Sequence, residues 1–565
     1  MYPATHLAAA ALLTLAAAAA TSEVLTPATE EMSRATKALQ AQDYAGVVHI
    51  LEPVMARHAL DAPAWRTLGM AQLRQHHAKA AESAYLQALS ADPRNPQPMF
   101  YLGLAAAQQN DRQGTLHWLQ KAAATHRVDM TALAMERDIE AWRDSPEFQA
   151  LLPSAEDFKH PFIEPVRILK EWDGEAAGDQ FGWVARVIGD VDGDGVNDFV
   201  TSAPTKDIHG KDAGRIYLYS GGSGTLLWSR DGAPGDQLGT GAEAAGDVDG
   251  DGIPDVIAGA PGIDTAYVLS GRDGHLLLTL HGEAHGDNFG DHVASVGDID
   301  GDGHADVIVG AAGNGAAGKN AGRAYVYSGK DGHLLLTLSG EAAGDGFGST
   351  VAGYSDRTHR LLVVGAPGAG PQHTGRIYVY RDLNPHANFT ADADATGAAL
   401  GYMFVSVLGD VDGDGWPDIF ASDFSDSSKG TGTGKIYIYS GRTGRRLHVW
   451  TGQTAGEGFG TTQSIAGDVN GDHRADVIVG SWQYSGAAQS GGRAYLFDGR
   501  SGHLLRTFTC RIPGDTFGFD AVGLGYAGDA REDSLLVTSA WSGIHGYHSG
   551  RVFLIGSGVR KAANR

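Results

Sequence analysis

Seven times along this chain a bulky apolar residue precedes a glycine: Phe181-Gly182, Leu238-Gly239, Phe289-Gly290, Phe347-Gly348, Leu400-Gly401, Phe459-Gly460 and Phe517-Gly518. The spacing is 51 to 59 residues. A period of that size narrows the architecture to a propeller or a solenoid, because each unit leaves an apolar face that only a neighbour can cover. Within a unit an apolar run ends in a small turn such as Gly365-Ala366-Pro367. An alternating strand (323–327) and then another (334–338) follow. Four short strands separated by glycine-rich turns make an antiparallel blade. The two ends also fit together. Residues around Val166 read as a fourth strand, while the last unit stops after a third strand around Val552. The early strand is predicted to pair there, closing the ring and removing two exposed sheet edges.

Five of the units carry a nine-residue acidic loop, starting at Asp190, Asp247, Asp298, Asp410 and Asp468. Calcium takes several hard oxygen ligands in flexible geometry. The pattern supplies them. Position one is the starting aspartate. Position three is Asp192, Asp249, Asp300, Asp412 or Asn470, and position five is Asp194, Asp251, Asp302, Asp414 or Asp472. Position seven offers its carbonyl (Val196, Ile253, His304, Trp416, Arg474), and position nine closes the shell (Asp198, Asp255, Asp306, Asp418, Asp476). Glycine at position six permits a sharp turn with positive φ. An EF-hand loop begins alike but needs Glu at position twelve between helices. Here position twelve is Thr201, Ala258, Val309 or Ala421, and β-branched runs follow, so these loops join strands. The fifth loop, with Asn470 and with His473 at position six, is expected to bind more weakly or to hold a strained turn. Units four and seven have no such loop.

Phe-Gly, then the acidic loop, then Gly-Ala-Pro resembles the FG-GAP repeat, found in the N-terminal propeller of integrin α subunits and in bacterial FG-GAP repeat proteins. The resemblance covers residues 164–558 and implies an all-β seven-bladed propeller. It implies about five structural Ca2+ ions in loops on one face, with partners on the other face or its side. It does not extend to a catalytic site, and no stretch reads as an integrin thigh or calf region or as a transmembrane segment.

The first part of the chain has another character. Residues 7–20 form an apolar stretch too short to span a bilayer, which needs about 20 residues. Residues 1–22 are read as a signal peptide, although the usual Lys or Arg is missing from the start. Over 27–152 helical spacing appears. Trp65, Leu68 and Gly69 recur 34 residues later as Met99, Leu102 and Gly103, and Tyr85 and Ala88 map onto Leu119 and Ala122. This resembles the tetratricopeptide repeat, whose period is 34. A degenerate earlier unit fits Ala35, Leu39 and Leu51, and 138–152 would cap the stack. The fold class is therefore multidomain: an all-α tetratricopeptide-like solenoid (27–152), a linker (153–163), the propeller (164–558) and a tail (559–565).

The formal charge is −24, much of it in the loops. An acidic surface argues against nucleic-acid partners. The single Cys510 excludes an internal disulfide, so in an exported chain calcium would do the stapling. Enzyme motifs are missing. From Gly313 to Lys319 the chain nearly spells a P-loop, but Asn320 replaces the required Ser or Thr and a strand follows. His545 and His548 leave room for a zinc site. Blade-like hairpins also occur in quinoprotein dehydrogenases, but eight blades would be expected there. The reading is an exported (periplasmic, cell-surface or secreted) adhesion or scaffold protein, not an enzyme. Its propeller would bind a protein or glycan on the face opposite the calcium loops, and its helical repeats a peptide or protein. The alternative is an envelope carbohydrate-active enzyme. Candidate partner-binding residues on long loops are Phe424, Trp482, Tyr484, Trp541, His545 and Tyr547, since aromatics on loops are typical contact residues.

Overall fold

The computed structural model describes residues 27–55, 61–462, 465–527 and 532–561. The leader read over 1–22 lies outside them. The chain divides into two compact units, one reaching Pro161 and the other starting at Phe162.

The second unit is a seven-bladed β-propeller of four-stranded antiparallel sheets. Blade 1 runs Ala185–Gly189, Asp198–Ala203, Arg215–Tyr219 and Leu226–Asp231 in spatial order. Blades 2 to 6 repeat that order. Blade 7 takes its outermost strand, Ile168–Asp173, from the start of the unit and pairs it with Arg551–Gly556. The predicted closure is there, but Val552 faces Trp172 rather than Val166. Arg551, 1% exposed, sets this register by pairing with Glu171 at 2.5 Å and Asp173 at 3.2 Å.

Burial peaks in the second strand of a blade and is least in the fourth. Second strands such as Asp306–Ala311 are buried at every residue, which explains their unbroken apolar runs. Fourth strands are mostly half-buried and leave Leu226, Leu276, Leu334 and Leu504 exposed. The recurring Phe-Gly pair follows from packing. Phe181, Phe347 and Phe459 lie edge-on to Tyr217, Tyr378 and Tyr495 of the third strands, at 5.2, 5.2 and 5.3 Å between ring centres. The glycine sits at positive φ where chains touch: a Cβ on Gly348 (φ +88°) would lie 2.1 Å from the Arg323 carbonyl oxygen.

The first unit is helical. Pro27–Gln40 packs on Tyr44–Met55, Ala62–Arg74 on Ala78–Ala91, and Gln97–Gln108 on Arg112–Ala123. The 34-residue recurrence has a physical basis. A Cβ on Gly69 would meet the Tyr85 ring at 3.0 Å, and one on Gly103 would meet Leu119 at 2.7 Å. Each glycine lets its helix approach the next, and the same contact recurs one repeat later. Asp61 and Asp111 cap two helices through the Ala64 and Gly114 amides. After Ala123 short 3₁₀ turns and Pro146–Gln149 bury Leu133, Ile139, Phe148 and Leu151 against the same core. The stretch read as a linker is partly ordered, since Ser154 and Asp157 form a capping box on Ala155–Lys159. No helix among the described residues is long and apolar enough to cross a membrane.

Candidate metal sites

All five acidic loops join the first and second strands of a blade, and all five are wired alike. The position-one carboxylate folds the loop over itself. One oxygen accepts the position-four amide, at 2.8 Å from Gly193 and Gly250 and 2.7 Å from Gly301 and Gly471. The other accepts the position-six amide, at 2.9 Å from Gly195 and 3.0 Å from Gly252 and Gly303. Position five accepts the amide of position seven, at 2.8 Å from Val196 and Ile253 and 2.9 Å from Trp416. Position four is glycine in every loop and also has positive φ, from +77° to +87°. The loop therefore needs two left-handed residues, at positions four and six.

Position nine is a staple. Asp198, Asp255, Asp306, Asp418 and Asp476 have no accessible surface. One oxygen of each accepts the position-two amide. The other accepts an amide from the turn between the third and fourth strands: Gly221, Gly271, Gly329 and Gly499 at 2.9 Å and Gly441 at 3.1 Å. The acidic loops thus share a face with those turns. Burial pushes Asp255, Asp306 and Asp476 up to about 6 and Asp418 up to about 7.

The donor sets fit a hard divalent cation. Carboxylate oxygens of Asp190, Asp192 and Asp194 lie within 4.8 Å of one another, as do those of Asp247, Asp249 and Asp251, of Asp298, Asp300 and Asp302, and of Asp410, Asp412 and Asp418. Ligands on one calcium ion, at 2.3–2.6 Å each, are at most about 5 Å apart. In the blade 6 loop Asp468, Asn470 and Asp472 make the same hydrogen bonds, with the Asn470 oxygen accepting the Asp472 amide at 2.9 Å. His473 holds φ +66° where its sister loops have glycine. Among the described residues no cluster of three or more His, Cys, Asp or Glu includes His545 or His548. Between Gly313 and Lys319 the chain is a turn that leads into the strand Arg323–Tyr327.

The aromatic residues singled out for partner contacts divide. Phe424, Trp482 and Trp541 are 5, 2 and 7% exposed, so their rings are packing elements rather than contact surface. Trp482 and Trp541 meet at right angles, 4.8 Å apart, and both lie against Phe519. Tyr484 and Tyr547 keep part of their surface, and His545 is exposed. Arg493 lies over the Tyr484 ring at 3.8 Å.

Two features on this opposite side were not anticipated. Residues just after the Phe-Gly pairs include Trp183, which packs on Phe519, and Tyr402, which is 45% exposed and stacks on Phe424. Deeper in, buried Arg186 joins Glu243 at 3.0 Å and Asp520, linking blades 1, 2 and 7. Near it burial raises Asp291 and lowers His292. The second feature is an acid two residues before most Phe-Gly pairs. Asp236, Asp345 and Glu457 accept the amides of Ala233, Ala342 and Thr454 at 2.8, 2.7 and 2.8 Å, fixing the connector between blades. The signal was visible as Gly-Asp-x-Phe-Gly but carries no chemistry until the connector is seen.

Geometry and repeat together define the class: a seven-bladed propeller with strand-joining acidic loops whose carboxylates could hold a metal ion. The chain carries FG-GAP repeats. The FG-GAP repeat matches residues 181–219, 240–269 and 289–327, and the FG-GAP-like repeat matches 410–479. Relatives include integrin alpha-7 of Rattus norvegicus, 32% identical over 163 residues, 26% of this chain and 14% of that protein. Integrin alpha-11 of Homo sapiens is 29% identical over 198 residues, 32% of this chain and 16% of that one. A phosphatidylinositol-glycan-specific phospholipase D of Bos taurus is 34% identical over 169 residues, 26% of this chain and 19% of the enzyme. The matches thus span less than a fifth of the length of each of these relatives.

Proposed function

We propose that this is a calcium-stabilised adhesion or scaffold protein that works outside the cytoplasm. The observation that carries the reading is the common wiring of the five loops, four of which bring three carboxylates within 4.8 Å of one another. Asp190, Asp192 and Asp194 and their counterparts would hold calcium, with the position-seven carbonyls and position nine completing the shell. Bound calcium neutralises carboxylates that otherwise repel at short range. Nothing in this role requires an open coordination position, as a catalytic metal would.

Partner binding is assigned to the opposite face. Tyr402, Tyr484, His545 and Tyr547 keep accessible surface there and stand on a rigid blade framework. The partner is a protein or a glycan. The helical unit, read as tetratricopeptide-like, would hold a second partner, a peptide or protein. The chain is read as a binding protein rather than an enzyme. The acids that face each other on the partner side, Asp423 and Asp426, have no accessible surface and are tied to the Ala398 and Ala399 amides and to Lys435 at 3.0 Å.

The test is capture from a cell-surface extract by the full chain, with calcium or chelator, beside a Tyr402→Ala, Tyr484→Ala, Tyr547→Ala variant. A defined protein or glycan retained only with calcium, and lost in the triple variant, supports the reading. Release of shortened sugars would move it to a carbohydrate-active enzyme.

A further inference from the structure

Four of the five loops are joined in pairs by a backbone hydrogen bond. The amide of Ala305, position eight of the blade 3 loop, donates to the backbone carbonyl of Asp247, position one of the blade 2 loop, at 2.9 Å. Next to it His304 Nδ1 donates to the Val248 carbonyl at 2.7 Å. The same link recurs between blades 5 and 6, where the Ala475 amide donates to the Asp410 carbonyl at 3.2 Å. There the Arg474 guanidinium lies 4.0 Å from the Asp410 carboxylate and fills the space beside Gly413.

The other junctions lack this bond for reasons of sequence. Position eight of the blade 2 loop is Pro254, which has no N–H; its ring packs beside Gly189 instead. Position eight of the blade 5 loop is Pro417, and the preceding blade has no acidic loop. Asn197, position eight in blade 1, reaches Leu524 of blade 7 through its side chain at 3.0 Å. Blade 4 touches the blade 3 loop through Ser355, whose hydroxyl donates to the Asp298 carbonyl at 3.0 Å, and through the Arg360 guanidinium beside Gly301.

We propose that the loops load calcium as two coupled pairs, blades 2 with 3 and 5 with 6, and one independent site in blade 1. This rests on the calcium reading above. Asp247 and Asp410 are the residues whose carboxylates fold their loops, and the linking amide pins their backbone. That amide belongs to a residue between the position-seven carbonyl and the position-nine staple of the next loop. A cation that orders one loop therefore orders the edge of its partner, and the second ion meets a lower conformational cost. Coupling of this kind is reciprocal between the two sites.

The sister loops supply the variants. Pro254 and Ala305 occupy the same strand register, each one residue before the aspartate opposite Gly246 or Gly297. Ala305→Pro thus removes one N–H at a position where the fold already accepts proline. Calcium titration of the full chain by calorimetry, with native mass spectrometry at subsaturating calcium, reads the outcome. In the wild type, second binding within each pair is expected to be at least about fivefold tighter than first binding. Singly loaded pairs are then scarce. Ala305→Pro abolishes this for one pair, Ala475→Pro for the other, and the double variant loads statistically. Statistical loading of the wild type, or titrations of wild type and Ala305→Pro that superimpose, overturns the pairing alone. No uptake of calcium by the wild type at millimolar concentration overturns the calcium reading with it.

Discussion

Blades 3 and 4 stand side by side and solve one problem in two ways. Blade 4 joins its first two strands, Thr350–Ser355 and Arg360–Ala366, with a four-residue turn. One carboxylate suffices: Asp356 accepts the amides of Thr358 and His359, each at 2.6 Å. Blade 3 spends eight residues (298–305) and three aspartates on the same connection, and a fourth, Asp306, opens the next strand. Asp298 and Asp306 do the folding and stapling. Asp300 and Asp302 accept the amides of residues two positions on, with Lys330 3.8 Å from Asp302, and the three loop carboxylates still repel one another. A turn alone needs none of that surplus, so the acidic loops answer a demand other than chain reversal. The contrast is the structural argument for a cation.

The largest effect that can break the comparison is removal of calcium. At [L] = 100 Kd one site stabilises by about 2.7 kcal/mol, so several loaded sites together outweigh any single side chain here. Chelator is expected to lower the propeller's melting temperature by roughly 10 °C or more, given about 2–4 °C per kcal/mol in larger domains. Hydrogen exchange should rise around Asp190, Asp247, Asp298, Asp410 and Asp468 and stay unchanged around Asp356. Equal deprotection of blade 4 would mean that the loops are not local cation sites.

A smaller effect tests the other blade. The backbone amides and His359 hold the Asp356 carboxyl well below the usual carboxylate range. A depressed value in the fold contributes stability above the unfolded value, about 3.9, and loses it as pH falls through the folded one. Asp356 is 38% exposed, so solvent screening discounts the gain. Asp356→Ala is expected to cost about 1 kcal/mol near pH 7, as loss of a capping carboxylate does. The deficit should be independent of calcium and shrink in acid. A calcium-dependent deficit would show that blade 4 is tied to the neighbouring loop through Ser355 more tightly than the turn implies.

How far the sequence disclosed this structure depends on whether a feature repeats. The seven Phe-Gly or Leu-Gly pairs and the strands between them carried the propeller, and the unpaired first and last strands carried its closure. The exact register did not follow, because it depends on Arg551 finding Glu171 and Asp173 from 380 residues away. The acidic loops and their place between strands were legible, but the second left-handed glycine and the role of position nine as a staple needed the folded turn. Partner residues were the least legible. An aromatic on a loop reads alike whether it faces solvent or, as with Trp482 and Trp541, packs against a neighbour's ring. Position eight shows the same limit: Ala305 and Pro254 look interchangeable until one donates across a blade boundary.

The smallest effect sharpens the comparison within the loops themselves. The blade 6 loop departs from its sisters twice, at Asn470 and at His473, and the structure separates the two. Asn470 keeps the hydrogen bond to the Asp472 amide, so it alters charge and not shape. His473 keeps the shape at a cost, because a residue with a Cβ at φ +66° is strained by roughly 1–2 kcal/mol. Its ring, largely exposed, lies 3.9 Å from the Asp468 carboxylate. His473→Gly removes the strain but adds freedom to the unfolded chain, leaving a net gain of about 0.5 kcal/mol. Thermal unfolding in chelator would read that gain. Asn470→Asp restores the fourth carboxylate; its effect is expected on calcium affinity and with the opposite sign on the apo melt, since the added charge repels Asp468 and Asp472. If His473→Gly alone brought the blade 6 loop to the affinity of its sisters, backbone strain and not ligand charge would set the difference among the five loops.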